Sequence, residues 1–163
     1  MPPIISIVGK SKSGKTTLLE KLIPELKRRG YRIGTVKHAH HGFTLDRKGK
    51  DSARHRAAGA DAVIVSAPDT MAMIKGHSDP SLTSLAMFLE DMDLIIAEGF
   101  KSENQLKIEV CRADNHKAPI HPIVSRLIAF VSDTDIDMGV PKFGLEDIER
   151  LADLIERRLL GQF

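Results

Sequence analysis

The chain has 163 residues, 42% of them apolar, with 24 Lys plus Arg against 22 Asp plus Glu and a formal net charge of +2. That size suits one domain, residues 1–163, with a real core, and the near balance of charge gives no reason to invoke nucleic acid or a membrane surface. Apolar runs fall far short of a membrane span, the single cysteine, Cys111, excludes an internal disulfide framework and fits a reducing cytoplasm, and no Trp with one Tyr leaves no aromatic platform for nucleic acid. The chain enters its first strand almost at once, so no signal peptide is expected.

Ile4-Ile5-Ser6-Ile7-Val8 is an apolar run suited to a buried strand. It leads into Gly9-Lys10-Ser11-Lys12-Ser13-Gly14-Lys15-Thr16, which fits G-x-x-x-x-G-K-[ST], the phosphate-binding loop. A helical stretch follows, so strand, loop and helix stand in the order the motif requires. The two glycines let the backbone curl so that successive N–H groups point inward. Those groups and the following helix N-terminus present partial positive charge to an anion. Lys15 can reach the β- and γ-phosphates, and the Thr16 hydroxyl can sit on a Mg²⁺ that bridges them. Lys10 and Lys12 add positive charge. The first reading is a nucleoside triphosphate held with Mg²⁺.

A first helix is expected over about 15–29, with Leu18, Leu19, Leu22, Ile23 and Leu26 at helical spacing, Pro24 as an internal disturbance and Gly30 as C-terminal cap. Residues 31–37 read as a second strand, giving a βαβ unit and a parallel sheet with a right-handed crossover. Ligands bind outside the C-terminal strand ends of such a sheet, which puts His38 near the phosphate loop as a pocket-lining or phosphate-facing side chain. The charge-dense stretch 44–54 follows. Within it, Asp46 is a candidate carboxylate for the metal shell or for placing a water, and Lys48, Lys50 and Arg54 are candidates for phosphates or a second ligand. Asp51-Ser52 can cap a small-residue helix through Ala57-Ala58-Gly59.

Residues 62–66 read as a third strand and 70–74 as an adjoining strand, with an antiparallel pairing left open. Asp79-Pro80 opens a helix whose buried face is Leu82, Leu85, Ala86 and Leu89. Asp93-Leu94-Ile95-Ile96-Ala97-Glu98-Gly99 is a buried parallel strand with a carboxylate at its C-terminal edge. A phosphate-loop protein needs an acid there, to hold the metal shell or orient an attacking water, and Glu98 is the candidate. The alternation over 107–112 suggests a half-exposed strand, 127–131 another buried strand, and 145–160 the last helix, with Leu145, Ile148, Leu151, Ala152, Ile155 and Leu159 as its apolar positions.

With no repeat or linker, the chain reads as one doubly wound α/β domain with a mostly parallel sheet, the three-layer α/β/α fold of P-loop NTPases. His38, His40 and His41 raise a metal site, but a structural zinc site would want thiolates, and Cys111 lies far away in sequence. No N-K-x-D stretch for guanine is present; Asp133, after the last strand, is a candidate for that role by position.

The phosphate loop, Thr35-Val36-Lys37-His38, Asp46 with Gly49-Lys50-Asp51-Ser52, Ala58-Gly59-Ala60 and Glu98-Gly99-Phe100-Lys101 together resemble the MobB family, the molybdopterin-guanine dinucleotide biosynthesis adaptor proteins. The resemblance runs through about Arg112 and carries weaker signatures beyond. It implies a homodimeric GTP-binding protein of the P-loop class that includes the nitrogenase-iron-protein-like ATPases. It implies at most slow GTP hydrolysis, and assistance to the MobA guanylyltransferase that joins GMP to molybdopterin. By matching positions, Gly9, Lys10, Ser11, Lys12, Ser13, Gly14, Lys15, Thr16 and Thr17 would hold the phosphates, and Thr16, Asp46 and Glu98 the Mg²⁺. Asp46 and Glu98 would be the acids near the water, and Lys48, Lys50, Arg54 and Lys101 the basic residues for phosphate or molybdopterin. Two other classes stay open. One is a small-molecule kinase, with the acceptor on the basic stretch 47–54 and Asp46 as base. The other is a metallochaperone-type NTPase, with the histidines as ligands.

Overall fold

The computed structural model describes residues 1–39, 42–43, 49–76, 81–114, 118–120 and 126–161. In chain order the elements are β1 (Ile4–Val8), α1 (Lys15–Arg28), β2 (Ile33–Lys37), α2 (Asp51–Ala57), β3 (Ala62–Ser66), β4 (Met71–Lys75), α3 (Leu82–Ala86) running into a 3₁₀ turn (Met87–Leu89), β5 (Leu94–Glu98), β6 (Leu106–Cys111), β7 (Leu127–Ser132), β8 (Lys142–Phe143) and α4 (Ile148–Ile155), which widens into a π-helical turn (Glu156–Leu160). They gather into two compact units, Met1–His38 with Ser81–Phe163, and Ala39–Pro80.

The first unit is built on a six-stranded sheet in the order β2-β5-β1-β6-β7-β8, every neighbouring pair parallel. A parallel sheet must be covered on both faces, which is why β1 and β5 are continuous apolar runs rather than alternating ones. On one face α1 sends Leu18, Leu22 and Leu26, and α4 sends Leu151 and Ile155, onto Ile5, Ile7, Ile96 and Ile108. On the other, Leu82 and Ala86 of α3 close over Ile4, Ile95, Ala97 and Phe100. The layers are those of a doubly wound α/β fold. Leu22 and Leu26 are fully buried, and each contributes about 1.5–3 kcal/mol by leaving water.

Helix α1 runs through Pro24, which sits on its exposed side, where the carbonyl left without a donor can turn to water. The helix closes with Gly30 N–H on Lys27 O and Tyr31 N–H on Leu26 O, the double bond of a Schellman end. The expected Asp79-Pro80 helix start lies outside the described residues. Ser81 caps α3, its Oγ accepting from Ser84 N–H at 3.3 Å.

Three expectations change. Strand β6 is buried from Lys107 to Cys111, not half-exposed. Its polar residues turn inward because partners await them: Lys107 Nζ donates to Glu103 O at 2.6 Å and Gln105 O at 3.1 Å, and a Glu109 oxygen accepts from Ile120 N–H at 2.5 Å. The last helix begins at Ile148, three residues after Leu145, which still packs on the core. Its final turn widens, with Gly161 N–H bonding Glu156 O at 2.7 Å, the i to i+5 spacing of a π turn.

In the second unit β3 and β4 pair antiparallel with each other as a separate two-stranded sheet, Ile64 facing Met73. Helix α2 starts at Asp51 with Lys50 as the flanking residue, so Asp51 lies in the first turn, where the helix dipole favours an acid, rather than at the cap.

Candidate functional site

The phosphate loop leaves the C-terminal end of β1 at Gly9. A Cβ there would meet Ser13 Oγ and lie 2.5 Å from Val110 O, so only glycine lets the loop turn this close to β6. Ser13 N–H bonds Lys10 O at 3.2 Å, and Lys12 takes the left-handed conformation at φ 61°. Gly14, at φ 95°, delivers the chain into α1, whose Leu18 N–H bonds back to Gly14 O at 2.8 Å. The helix N-terminus therefore opens onto the concave side of the loop, which is the geometry of an anion cradle. Ser13 Oγ is buried there and has no hydrogen-bond partner among the described residues.

Lys15 folds back across the loop and donates to Gly9 O at 3.1 Å and Lys10 O at 2.8 Å. Burial lowers its pKa; Glu98 opposes that shift, while Lys101 and Lys37 add to it.

Parallel pairing brings the acid to the loop. Ile7 of β1 and Lys37 of β2 both stand at the register of Glu98 in β5. Thr16 Oγ1 is 3.3 Å from each Glu98 carboxylate oxygen, and Lys37 Nζ is 3.4 Å from Glu98 Oε1. The backbone knits the same place: His38 N–H bonds Glu98 O at 3.0 Å, and Gly99 N–H bonds Ile7 O at 3.0 Å. Gly99 at φ 101° and Phe100 at φ 54° then make two successive left-handed steps, and Phe100 carries a strain of about 1–3 kcal/mol to turn the chain sharply there. The His38 ring packs 5.0 Å from the Phe100 ring.

Gly9, Lys10, Ser11, Lys12, Ser13, Gly14, Lys15, Thr16, Glu98 and the backbone of His38 thus gather at one end of the sheet, and the charge of Lys101 reaches Lys15. Thr17 sits in the first turn of α1 and lines a neighbouring cavity. Asp133 Oδ1 accepts from Ala113 N–H at 2.8 Å, tying the exits of β6 and β7 together. Lys50 and Arg54 belong to the second unit, where Arg54 Nη1 lies 3.6 Å from Asp51 Oδ1. Asp46, Lys48, His40 and His41 lie outside the described residues. Lys37, part of the Thr35-Val36-Lys37-His38 motif, and Arg112 have no role assigned from sequence. Lys37 gains its place only through the β2–β5 register, which sets it level with the acid. Arg112 follows the last residue of β6 just as Gly9 follows that of β1.

The family model for molybdopterin guanine dinucleotide synthesis protein B matches residues 4–133. The chain belongs to the MobB family. The molybdopterin-guanine dinucleotide biosynthesis adapter protein of Escherichia coli K12 is 37% identical over 161 residues, covering 95% of this chain and 92% of that protein. The protein of the same name from Haemophilus influenzae is 38% identical over 160 residues, covering 96% and 89%. Among solved structures, Bacillus subtilis MobB superimposes with a TM-score of 0.77 at 28% identity, covering 98% of this chain and 99% of that one. The MobB likeness extends over β1 to β8, including the C-terminal third whose sequence signatures are weak. Among the described residues no helix is long and apolar enough to cross a membrane.

Proposed function

We propose that this chain is a Mg²⁺–GTP-binding adapter of the cytoplasm that serves a MobA-type guanylyltransferase in making molybdopterin-guanine dinucleotide, with at most slow GTP hydrolysis of its own. The observation that carries the reading is the Thr16–Glu98 contact at the mouth of the phosphate loop. A hydroxyl and a carboxylate meeting there form the hard oxygen pair that Mg²⁺ takes beside phosphates. Held by Thr16 and Glu98, Mg²⁺ would supply positive charge against the phosphate oxygens. By resemblance Asp46 is a second acid for that shell. The loop N–H groups receive the phosphate oxygens, and Lys15 moves from the Gly9 and Lys10 carbonyls onto them. Glu98 would orient a water, and the engagement of its carboxylate by Lys37 suits slow turnover.

The adapter role is supported by the names of the Escherichia coli and Haemophilus influenzae relatives, which match over nearly their whole length. Homodimerisation is supported by the β3–β4 sheet, which leaves Ile64, Val65, Met71 and Met73 exposed on a two-stranded ribbon too small to be stable alone. The basic residues Lys48, Lys50, Arg54 and Lys101 are assigned to phosphate or to molybdopterin.

Calorimetric titration with GTP and ATP, each with and without Mg²⁺, tests the nucleotide half: Mg²⁺-dependent GTP binding that Lys15→Ala abolishes is expected, and unchanged affinity in that variant would sink the assigned site. Guanylyl transfer to molybdopterin by a MobA-type enzyme, measured with and without this chain, tests the adapter half. A rise in product formation is expected; no change with GTP bound would overturn it.

A further inference from the structure

A second opening lies beside the phosphate loop, on the opposite side of β1 from Glu98. It is a slot of about 140 Å³ between the first turn of α1, the ends of β6 and β7, and the approach to α4. Gly14 belongs to both the loop and the slot, and Thr17 is the next residue after the one that faces Glu98. Whatever places phosphates on the loop therefore has its remaining portion within about one helical turn of this slot. The volume is under half of the roughly 300 Å³ at the small end of whole-ligand pockets, so it suits a flat ring and not an entire nucleotide.

The walls have the right chemistry for a ring. Leu18, Val110, Val131 and Leu145 supply apolar faces, and Arg112 supplies a planar cation. The stem of Arg112 lies against the loop, its Cδ 3.0 Å from where a Cβ on Gly14 would stand. Its Nε is buried and has no hydrogen-bond partner among the described residues. A buried donor without an acceptor is a standing cost unless a ligand supplies one. The Asp133 carboxylate, bonded to Ala113 N–H, holds the residue next to Arg112 and so keeps the guanidinium at the slot.

We propose that this slot receives the purine base of the nucleotide whose phosphates lie on the loop, with Arg112 as the residue that selects guanine. The inference rests on the nucleotide reading given above. Guanine offers two acceptors side by side, O6 and N7, and a guanidinium matches that pair; adenine puts a donor, N6, where guanine has O6. Stacking of the ring between apolar walls supplies contact, and the forked donor supplies discrimination.

The test compares wild type, Arg112→Lys and Leu145→Trp against Mg²⁺ complexes of GTP, ATP and inorganic tripolyphosphate, which has no base. Arg112→Lys keeps the charge beside the loop but loses the fork. It is expected to weaken GTP by at least about tenfold, to shrink the preference for GTP over ATP, and to leave tripolyphosphate unchanged. Leu145→Trp fills the slot from a partly buried position and is expected to weaken both nucleotides but not tripolyphosphate. Because the chain has no Trp, the introduced indole also reports by fluorescence, responding to GTP and not to tripolyphosphate. Equal losses for GTP and tripolyphosphate, or no loss for either in both variants, would overturn the slot while leaving nucleotide binding intact. A wild-type chain that binds neither GTP nor tripolyphosphate would overturn the nucleotide reading and the slot together.

Discussion

Thr16 and Glu98, 82 residues apart, meet with the hydroxyl 3.3 Å from both carboxylate oxygens. The meeting follows from strand pairing: β5 lies beside β1 with Glu98 level with Ile7, and the loop after β1 brings α1 back over that edge. Glu98→Gln keeps the shape and an acceptor but removes the charge that a divalent cation needs. GTP affinity measured with Mg²⁺ is expected to fall roughly tenfold, about 1.4 kcal/mol. Affinity without Mg²⁺ is expected to hold or rise, since one negative charge near the triphosphate is gone. An unaltered ratio between the two conditions would show that Glu98 stands outside the metal shell.

Lys15 makes a second prediction. In the free protein its pKa is lowered by burial first, against the pull of Glu98, with Lys101 and Lys37 pushing the same way as burial. A bound triphosphate favours the charged amine and raises the value. The complex then holds more protons than the free protein, so binding at alkaline pH takes up protons and affinity falls as pH rises through the free-protein value. Calorimetry in two buffers of different ionisation enthalpy should give different apparent heats. Lys37→Ala removes one of the lowering charges and should move the uptake to higher pH; heats independent of buffer across the alkaline range would contradict this.

Much of this site is written locally. The loop, its preceding apolar strand and its following helix are contiguous, and the acid at the end of 94–98 needs only the rule that ligands meet strand C-termini. What stayed hidden depends on distant partners. Lys107 and Glu109 gave β6 the pattern of a half-exposed strand because nothing in the sequence announces that the carbonyls of Glu103 and Gln105 and the N–H of Ile120 will satisfy them. Strand β8 has two residues, too few for any period, and exists because Phe143 pairs with Val131. The strands read at 62–66 and 70–74 are present, the second one residue later at Met71–Lys75, but their separation from the main sheet was not legible: period alone does not say which neighbour a strand takes. Lys37 mattered only once register placed it beside Glu98.

Gly9→Ala should separate folding from binding. The added Cβ would press on Val110 O at 2.5 Å and on Ser13 Oγ; a hydroxyl can rotate away, but a carbonyl held in β6 cannot. The loop must shift outward, costing about 1–3 kcal/mol of stability. Chemical denaturation should show that modest loss, while triphosphate binding falls far more, because the inward N–H array is broken. Binding that drops no more than stability does would argue against the cradle.

The C-terminal end of α1 has its own pH signature. Arg29 reaches Glu25 at 2.7 Å, Asp153 at 2.8 Å and also Glu156, so one guanidinium links α1 to α4. Hydrogen bonds from Arg28 and Arg29 pull the Glu25 carboxyl down to about 2 from an ordinary 4.5. A lowered folded-state value means stability present above the ordinary pKa and lost as pH falls from about 4.5 towards about 2. Thermal melts should therefore show Tm falling through that window in wild type. Glu25→Gln should lower Tm at neutral pH and flatten the acid dependence, and two parallel curves would refute the linkage.

The β3–β4 ribbon carries the last prediction. Met71 is 68% exposed and Ile64 59%, on a two-stranded sheet whose outer edges have no strand partners among the described residues. Open edges and apolar side chains together invite a second copy, since edge pairing would extend the ladder and packing of the apolar faces would bury Met71 and Ile64. Because the side chains are already exposed within the chain, Ile64→Lys or Met71→Lys removes no internal packing and should leave the melting of an isolated subunit within about 0.5 kcal/mol. In a dimer the same charge would be buried without a partner and should cost several kcal/mol. Sedimentation velocity should thus show a dimer for wild type and a monomer for the double variant, with circular dichroism unchanged. A double variant that still sediments as a dimer would move the interface elsewhere; a monomeric wild type across the micromolar range would overturn homodimerisation itself.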